Sequence, residues 1–347
     1  MDVLTPKLRM KNALLNQPVD YLPTQINYTA GMSRKMADHF SIKEIELPMY
    51  FGNHFYRLDL NYPHRYSQDQ SVKFDWWGVG FDTGEEGYFA TINPLAENKD
   101  LDRFDWPDPN ATYLLDEARQ LIKRKGDDCF LAPNFGFALF ERAWSLRGFE
   151  NFFLDMAMDN NFTEELLDRI AEIQLVLINR FLDLGIDGCY FGDDYGAQKG
   201  LLFSPQMWRK FIKPRLAKLF SPFVDRQMPV IFHSDGQIQQ ILPDLVEIGL
   251  TTINPIQPEV LDHQWLFDNF KGKLSFYGGI STQTVLPNGN QEDVRMAIKT
   301  CISTLAPDGT GLLLAPSHRL MSDIPLENVQ VMIEEFEGIS TLNVEED

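Results

Sequence analysis

Pro229–Gly236 reads PVIFHSDG: an apolar run that ends on His233, steps over Ser234 to Asp235 and turns at Gly236. A short apolar run bounded by Pro and Gly predicts a buried strand. Its carboxyl end then carries an imidazole and a carboxylate on one loop. Gly311–His318, GLLLAPSH, has the same shape and also ends on a histidine. Whether two such ends share one mouth depends on the order of strands and helices around them.

That order is regular. ATYLLDEARQLIKRKG, from Ala111, predicts an amphipathic helix closed at Gly126, and CFLAPNFG a strand after it. Helical stretches and strands then alternate to the end of the chain, with Ser204-Pro205 supplying an N-cap and first-turn proline for one long helix. Eight strands are expected, near 22–27, 56–60, 129–135, 187–192, 229–233, 251–255, 274–279 and 311–316. Alternation with near-continuous apolar strands predicts a parallel sheet. Eight units in one chain predict an α/β fold, a (β/α)8 TIM barrel, led by an N-terminal helical segment after Thr5-Pro6. A doubly wound sheet is the alternative, but no GxGxxG follows the first strand. Between Asn53 and Asn93, aromatic and polar residues alternate around Gly turns, which predicts a β-hairpin insertion over Val72–Asn93. No linker composition sets it apart, so residues 1–347 are expected to form one barrel domain.

Bulk composition bounds the function. The 347 residues carry a net charge of −19, which disfavours nucleic-acid and anionic-membrane partners. Three cysteines lie far apart without a CxxC pair, and no run approaches a membrane span or a signal peptide. A cytoplasmic protein is expected.

In a barrel the chemistry sits at the carboxyl ends of the strands. Those ends offer Asn27, Asp59, Asn134, Asp193-Asp194-Tyr195, His233 and Asp235, Asn254 and Gln257, Tyr277-Gly278-Gly279 and His318. His233, Asp235 and His318 are the candidate metal ligands, because imidazole and carboxylate are ordinary zinc donors and three of them leave a position open. A histidine at a strand end is more often a hydrogen-bonding residue, and HxD alone is a weak motif. Asp193, Asp194 and Tyr195 are the candidate catalytic group, with one carboxylate facing the mouth and the other bracing a loop. Turn or capping roles suit that pair equally well. Asn27, Asn134, Gln257 and Tyr277 are candidate substrate-binding residues. Glu141, Arg142 and Arg147 read more readily as surface pairs, and His39, His54, His64 and His263 as surface or packing residues.

Several long segments resemble the uroporphyrinogen decarboxylase superfamily. They include SLRGFENFFLDM, FGDDYGAQKGLLFSPQMWRKFIKPRL, IFHSDGQIQQILPDLVEIGLTTINPIQP, FYGGISTQTVLP and APSHRLMSDIPLENV, with LRMKNALLNQPVDYLPTQ at the start. The resemblance implies a (β/α)8 barrel and one of two activities. Metal-free uroporphyrinogen decarboxylases carry a Met-Arg-Gln-Ala-Gly-Arg run. The corresponding NYTAGMSRK of Asn27–Lys35 keeps Ala-Gly and Arg34 but lacks the first arginine. The corrinoid-dependent methyltransferases carry zinc on His-x-Cys and a distant Cys. Here His233 matches the motif histidine, while Asp235 and His318 stand where the two cysteines would be.

By that resemblance the protein is expected to move a methyl group between a small substrate (methanol, methylamine, aryl methyl ether or thiol type) and a corrinoid-binding protein, with zinc as cofactor. The alternative is a metal-free decarboxylase of a tetrapyrrole or other polycarboxylate. Superfamily members often pair as homodimers, although no self-complementary patch shows in this sequence.

Overall fold

The computed structural model describes residues 3–84 and 90–341. Seven parallel strands form one curled sheet in chain order: β1 Phe55–Leu58, β2 Phe130–Gly136, β3 Cys189–Gly192, β4 Val230–His233, β5 Thr252–Asn254, β6 Ser275–Ile280 and β7 Leu312–Pro316. Helices connect them on the outside, as in a (β/α)8 TIM barrel. The strand expected near 22–27 occupies the eighth position without a full ladder. Thr24 bridges Leu314 and Tyr28 bridges Leu320, both in parallel. On its other side, side chains replace backbone pairing. Gln25 Nε2 donates to the Phe55 carbonyl at 3.0 Å, and Asn53 exchanges bonds with both the N–H and the C=O of Ile26 at 2.8 Å. Buried amides thereby satisfy backbone groups that an interrupted ladder would leave orphaned.

Alternation along each strand sorts the interior from the helix-facing core. Phe55, Phe130, Ala132, Tyr190, Ile231, Tyr277, Leu313 and Ala315 pack inside the barrel. Met10 and Leu14 of the helix Pro6–Leu14 join this cluster and plug one end. The carbonyls of Ala13 and Leu14, at that helix's unsatisfied end, accept from Ser275 Oγ (2.8 Å) and Thr252 Oγ1 (3.1 Å). The floor is therefore apolar and closed, and the polar strand ends face the opposite mouth.

The region expected to be a hairpin over Val72–Asn93 is a larger element. Arg65–Tyr66, Val72–Phe74, Gly80–Asp82 and Ala90–Ile92 pair antiparallel as a four-stranded sheet. Residues 85–89 of the expected hairpin lie outside the described residues. Asp75, in the turn between Val72–Phe74 and Gly80–Asp82, holds Arg142 at 2.5 Å, and the guanidinium also lies over the rings of Trp77 and Phe137. Arg142 and Arg147, expected in surface pairs, are instead buried, Arg147 against Asp155 at 2.8 Å. Helical periodicity places such residues on a face but does not say what covers it.

Candidate active site

The carboxyl ends of β3, β4 and β5 and the loop after β7 build the site. His233 is the last residue of β4 and points inward, in register with Gly192 and Asn254. Its Nδ1 lies 2.8 Å from Asn254 Oδ1, which also accepts from Tyr190 Oη at 2.9 Å. Asn254 Nδ2 donates to the Tyr277 carbonyl at 3.1 Å, which fixes the amide with its oxygen toward the imidazole. His233 Nδ1 is thereby engaged as the donor, and Nε2 faces the mouth.

Two carboxylate oxygens face His233 Nε2, and a second imidazole stands on the other oxygen of Asp235. His233 Nε2 is 3.8 Å from Asp194 Oδ1 and 3.7 Å from Asp235 Oδ1, while His318 Nε2 is 3.8 Å from Asp235 Oδ2. Ligand atoms of Asp194, His233 and Asp235 all lie within 4.8 Å of one another, a spacing that can hold a metal ion. Asp235 Oδ1 is buried and has no hydrogen-bond partner. Two ligands roughly 2.0–2.2 Å from one tetrahedral zinc stand about 3.3–3.6 Å apart. The observed separations are too long for hydrogen bonds and close to that edge length.

Backbone contact presses the two aspartates together. Asp235 N donates to Asp194 Oδ1 at 2.8 Å, and Tyr195 N to Ser234 Oγ at 3.0 Å. Gly236 has φ +79°, and a Cβ there would stand 2.5 Å from the backbone of Gly196. No other residue permits this approach of the β3 and β4 loops.

The two adjacent aspartates divide their roles. Asp193 is fully buried and accepts from the N–H groups of Leu139, Phe140 and Glu141 and from Tyr195 Oη, at 2.7–3.1 Å. It caps the helix Phe140–Arg147. Burial pushes its carboxyl up while those four bonds pull it down. Tyr195 is also fully buried and stacks on Phe232. Neither side chain lines the mouth, whereas Asp194 does.

Burial and then the charge of Asp235 raise the Asp194 carboxyl, against the attraction of His233. Burial lowers the His318 imidazole, against the attraction of Asp235. Glu141 is a further carboxyl beside this group, held well above the usual range by burial and by the charges of Asp194 and Asp193.

Of the expected substrate-binding residues, Asn27 donates to Tyr277 Oη at 2.9 Å, joining two sides of the mouth. Asn134 donates to Asp59 at 2.7 Å on the more exposed rim. Gln257 is buried and accepts from Gly236 N at 2.8 Å, bracing the β4 loop. Arg57 was not singled out from sequence. It follows Phe55 by two on β1, so it points inward, with its guanidinium 4.9 Å from the Tyr190 ring centroid.

The fold and site together define a TIM-barrel protein with an acid- and histidine-rich centre at the carboxyl ends of its strands. The chain belongs to the uroporphyrinogen decarboxylase (URO-D) family, whose pattern it matches over residues 66–338. The uroporphyrinogen decarboxylase of Aliivibrio fischeri is 23% identical over 372 residues, covering 96% of this chain and 97% of its own. That of Coxiella burnetii is 22% identical over 378 residues, covering 97% and 98%. Among solved structures, a methyltransferase from Methanosarcina mazei superposes with a TM-score of 0.73 at 18% identity, covering 96% of this chain and 99% of that one. This is a likeness of fold.

Proposed function

We propose that this chain is a metal-dependent methyltransferase that moves a methyl group between a small substrate and a corrinoid carried by a partner protein. The observation that carries the reading is Asp235 Oδ1, buried without a hydrogen-bond partner among Asp194, His233 and His318. A buried anionic oxygen left unpaired is costly, and a shared cation satisfies it. In this reading His233, Asp235 and His318 hold the metal, and Asp194 stands as a further oxygen donor. Imidazole and carboxylate fit zinc, and a zinc bound there would supply Lewis acidity suited to an oxygen-bearing methyl donor.

The remaining residues orient and exclude. Asn254 keeps His233 Nε2 toward the mouth through the Nδ1 bond. Asp193 and Tyr195 position Asp194 by anchoring the backbone on either side of it. Asn27 and Tyr277 face the substrate from the opposite wall, with Asn134 at the rim. Gln257 acts through the Gly236 loop. The apolar floor of Phe55, Phe130 and Ile231 keeps water from entering beneath the reacting group.

A metal-free carboxy-lyase is the second reading, favoured by the names of the curated relatives. It requires several cations for a polycarboxylate, and the electrostatics of the site register Arg57 and Arg319. The experiment is incubation of the purified chain with chemically reduced cobalamin and candidate methyl donors, followed by the visible spectrum. Methylation of the cobalamin that is lost on chelation and restored by zinc is expected. Decarboxylation of uroporphyrinogen that is indifferent to chelator would contradict the reading.

A further inference from the structure

The polar chain that crosses the mouth has a direction, and the backbone sets it. Phe55 N donates to Gln25 Oε1 at 3.3 Å, and the Phe55 carbonyl accepts from Gln25 Nε2 at 3.0 Å. The buried Gln25 amide can therefore stand only one way round. Its Nε2 also faces Asn27 Oδ1 at 3.4 Å, which leaves Asn27 Nδ2 as the donor to Tyr277 Oη at 2.9 Å. Tyr277 Oη is thus an acceptor, and its own proton is unspent. No acceptor for that proton stands among the described residues. Tyr277 is 2% exposed, so bulk water does not serve it either. A buried donor without a partner is costly, and a chamber that holds one is built for a ligand that completes it.

Tyr277 stands at the level of the acid and histidine centre. His233 pairs with Asn254, and Ile253 with Phe276, so Asn254 and Tyr277, one residue further on, continue that level round the barrel. Asn254 donates to the Tyr277 carbonyl and holds His233 Nδ1, so one amide braces both residues. Tyr277 packs among the inward side chains, with Tyr190 and Phe55. Asn27 reaches its phenol from the eighth strand, which leaves the proton the side nearer β4. Two strand spacings, about 10 Å, separate the backbones of β4 and β6. Inward side chains narrow that gap to the width of a small molecule.

We propose that the Tyr277 O–H donates to a lone pair on the substrate atom that gives up the methyl group, so that the methyl donor is an alcohol or ether and not a quaternary ammonium. The assignment rests on the methyltransferase reading of the same site. As the methyl carbon bonds to cobalt(I) of the corrinoid through the cobalt electron pair, the pair of the broken C–O bond stays on oxygen. The hydrogen bond from Tyr277 strengthens as that charge grows. The oxygen then takes its proton from water, and Tyr277 keeps its own. Asn27 holds the phenol in this orientation, because turning the O–H toward Asn27 Nδ2 would set two donors against each other. A nitrogen without a lone pair leaves the buried O–H unanswered, which is the kind of mismatch that a polar site rejects.

The test uses acetophenone, whose carbonyl oxygen stands in for the substrate oxygen, and α-methylstyrene, in which a CH2 group replaces that oxygen. Each is titrated calorimetrically into the full chain after chelation, for wild type, Tyr277→Phe and His233→Ala. The carbonyl stretch of bound acetophenone is recorded by infrared difference, and zinc content is measured on reloaded samples. The preference for acetophenone over α-methylstyrene is expected to be at least about threefold larger in wild type than in Tyr277→Phe. The carbonyl band should lie at lower frequency in wild type than in Tyr277→Phe, a shift that a purely structural role for the phenol would not produce. Tyr277→Phe should reload with the wild-type amount of zinc. His233→Ala should lose zinc and keep the carbonyl shift, which separates a failure here from a failure of the metal reading. An equal preference in wild type and Tyr277→Phe, an unmoved carbonyl band, no binding of acetophenone, or tighter binding of tetramethylammonium than of acetophenone by wild type would each overturn the proposal.

Discussion

His233 Nε2 faces Asp235 Oδ1 across 3.7 Å, and that oxygen is buried without a hydrogen-bond partner. The gap is too wide for a hydrogen bond and suits two ligands of one ion. The surrounding structure holds it open from both sides. Asn254 fixes the imidazole, and the contact of Gly196 with Gly236 fixes the carboxylate.

Asn254 is the first test of that arrangement. Asn254→Ala removes the acceptor for His233 Nδ1 and frees the imidazole to change tautomer. Zinc affinity, measured by competition with a chromophoric chelator, should fall roughly 10- to 100-fold. Asn254→Asp, which keeps an acceptor oxygen, should recover most of it. Equal affinity in Asn254→Ala and wild type would show that the Nδ1 bond has no part in presenting Nε2.

Gly236→Ala tests the loop contact. The new Cβ meets the backbone of Gly196, at a φ of +79° that an alanine adopts only under strain. The cost expected is roughly 1–3 kcal/mol. A lower urea midpoint should accompany a lower zinc content, because Asp194 and Asp235 separate together. A destabilised variant with full zinc content would uncouple the loop from the site.

Much of the barrel is legible in the sequence because a parallel strand buried on both faces leaves an apolar run with a polar end. PVIFHSDG and GLLLAPSH are of this kind, and their histidines do reach one mouth. The eighth strand is legible as an extended segment but not in its manner of closure, since nothing in DYLPTQIN says that Gln25 and Asn53 side chains replace a ladder. Asp193 and Asp194 were indistinguishable as adjacent carboxylates. Only the turn after β3 decides that Asp193 meets three helix N–H groups while Asp194 meets His233. Arg57 lay hidden for a related reason. FYRL carries large side chains on both faces, so its inward face is known only once Phe55 is seen against Phe130.

Asp193→Asn separates positioning from chemistry. The substitution turns an acceptor into a donor opposite the N–H groups of Leu139, Phe140 and Glu141. Loss of buried hydrogen bonds of this kind costs about 1–3 kcal/mol. The urea midpoint should fall accordingly, while zinc content at saturating metal stays at the wild-type level. Zinc loss without a change in midpoint would place Asp193 among the ligands.

Away from the site, His54 sets a pH dependence of stability. Burial, with Arg9 nearby, lowers its imidazole from 6.5 to about 4, and its Nδ1 is buried without a partner. The folded chain thus favours neutral His54, and the unfolded chain binds the extra proton between those two values. Stability from this residue is complete above pH 6.5 and is lost as pH falls toward 4. The loss is on the order of 3 kcal/mol. In His54→Gln, the difference in unfolding free energy between pH 7.5 and pH 4.5 should shrink by a comparable amount. An identical pH profile in variant and wild type would remove His54 from the explanation.

The most direct measurement of the central claim is metal content per chain by plasma mass spectrometry, after zinc loading and desalting. Wild type, His233→Ala, Asp235→Asn and His318→Ala are compared, with Asp244→Asn as a control away from the mouth. The account predicts one zinc per wild-type and control chain and a substoichiometric amount in the three site variants. Wild-type chain that retains no metal, or site variants that retain as much as wild type, would contradict it.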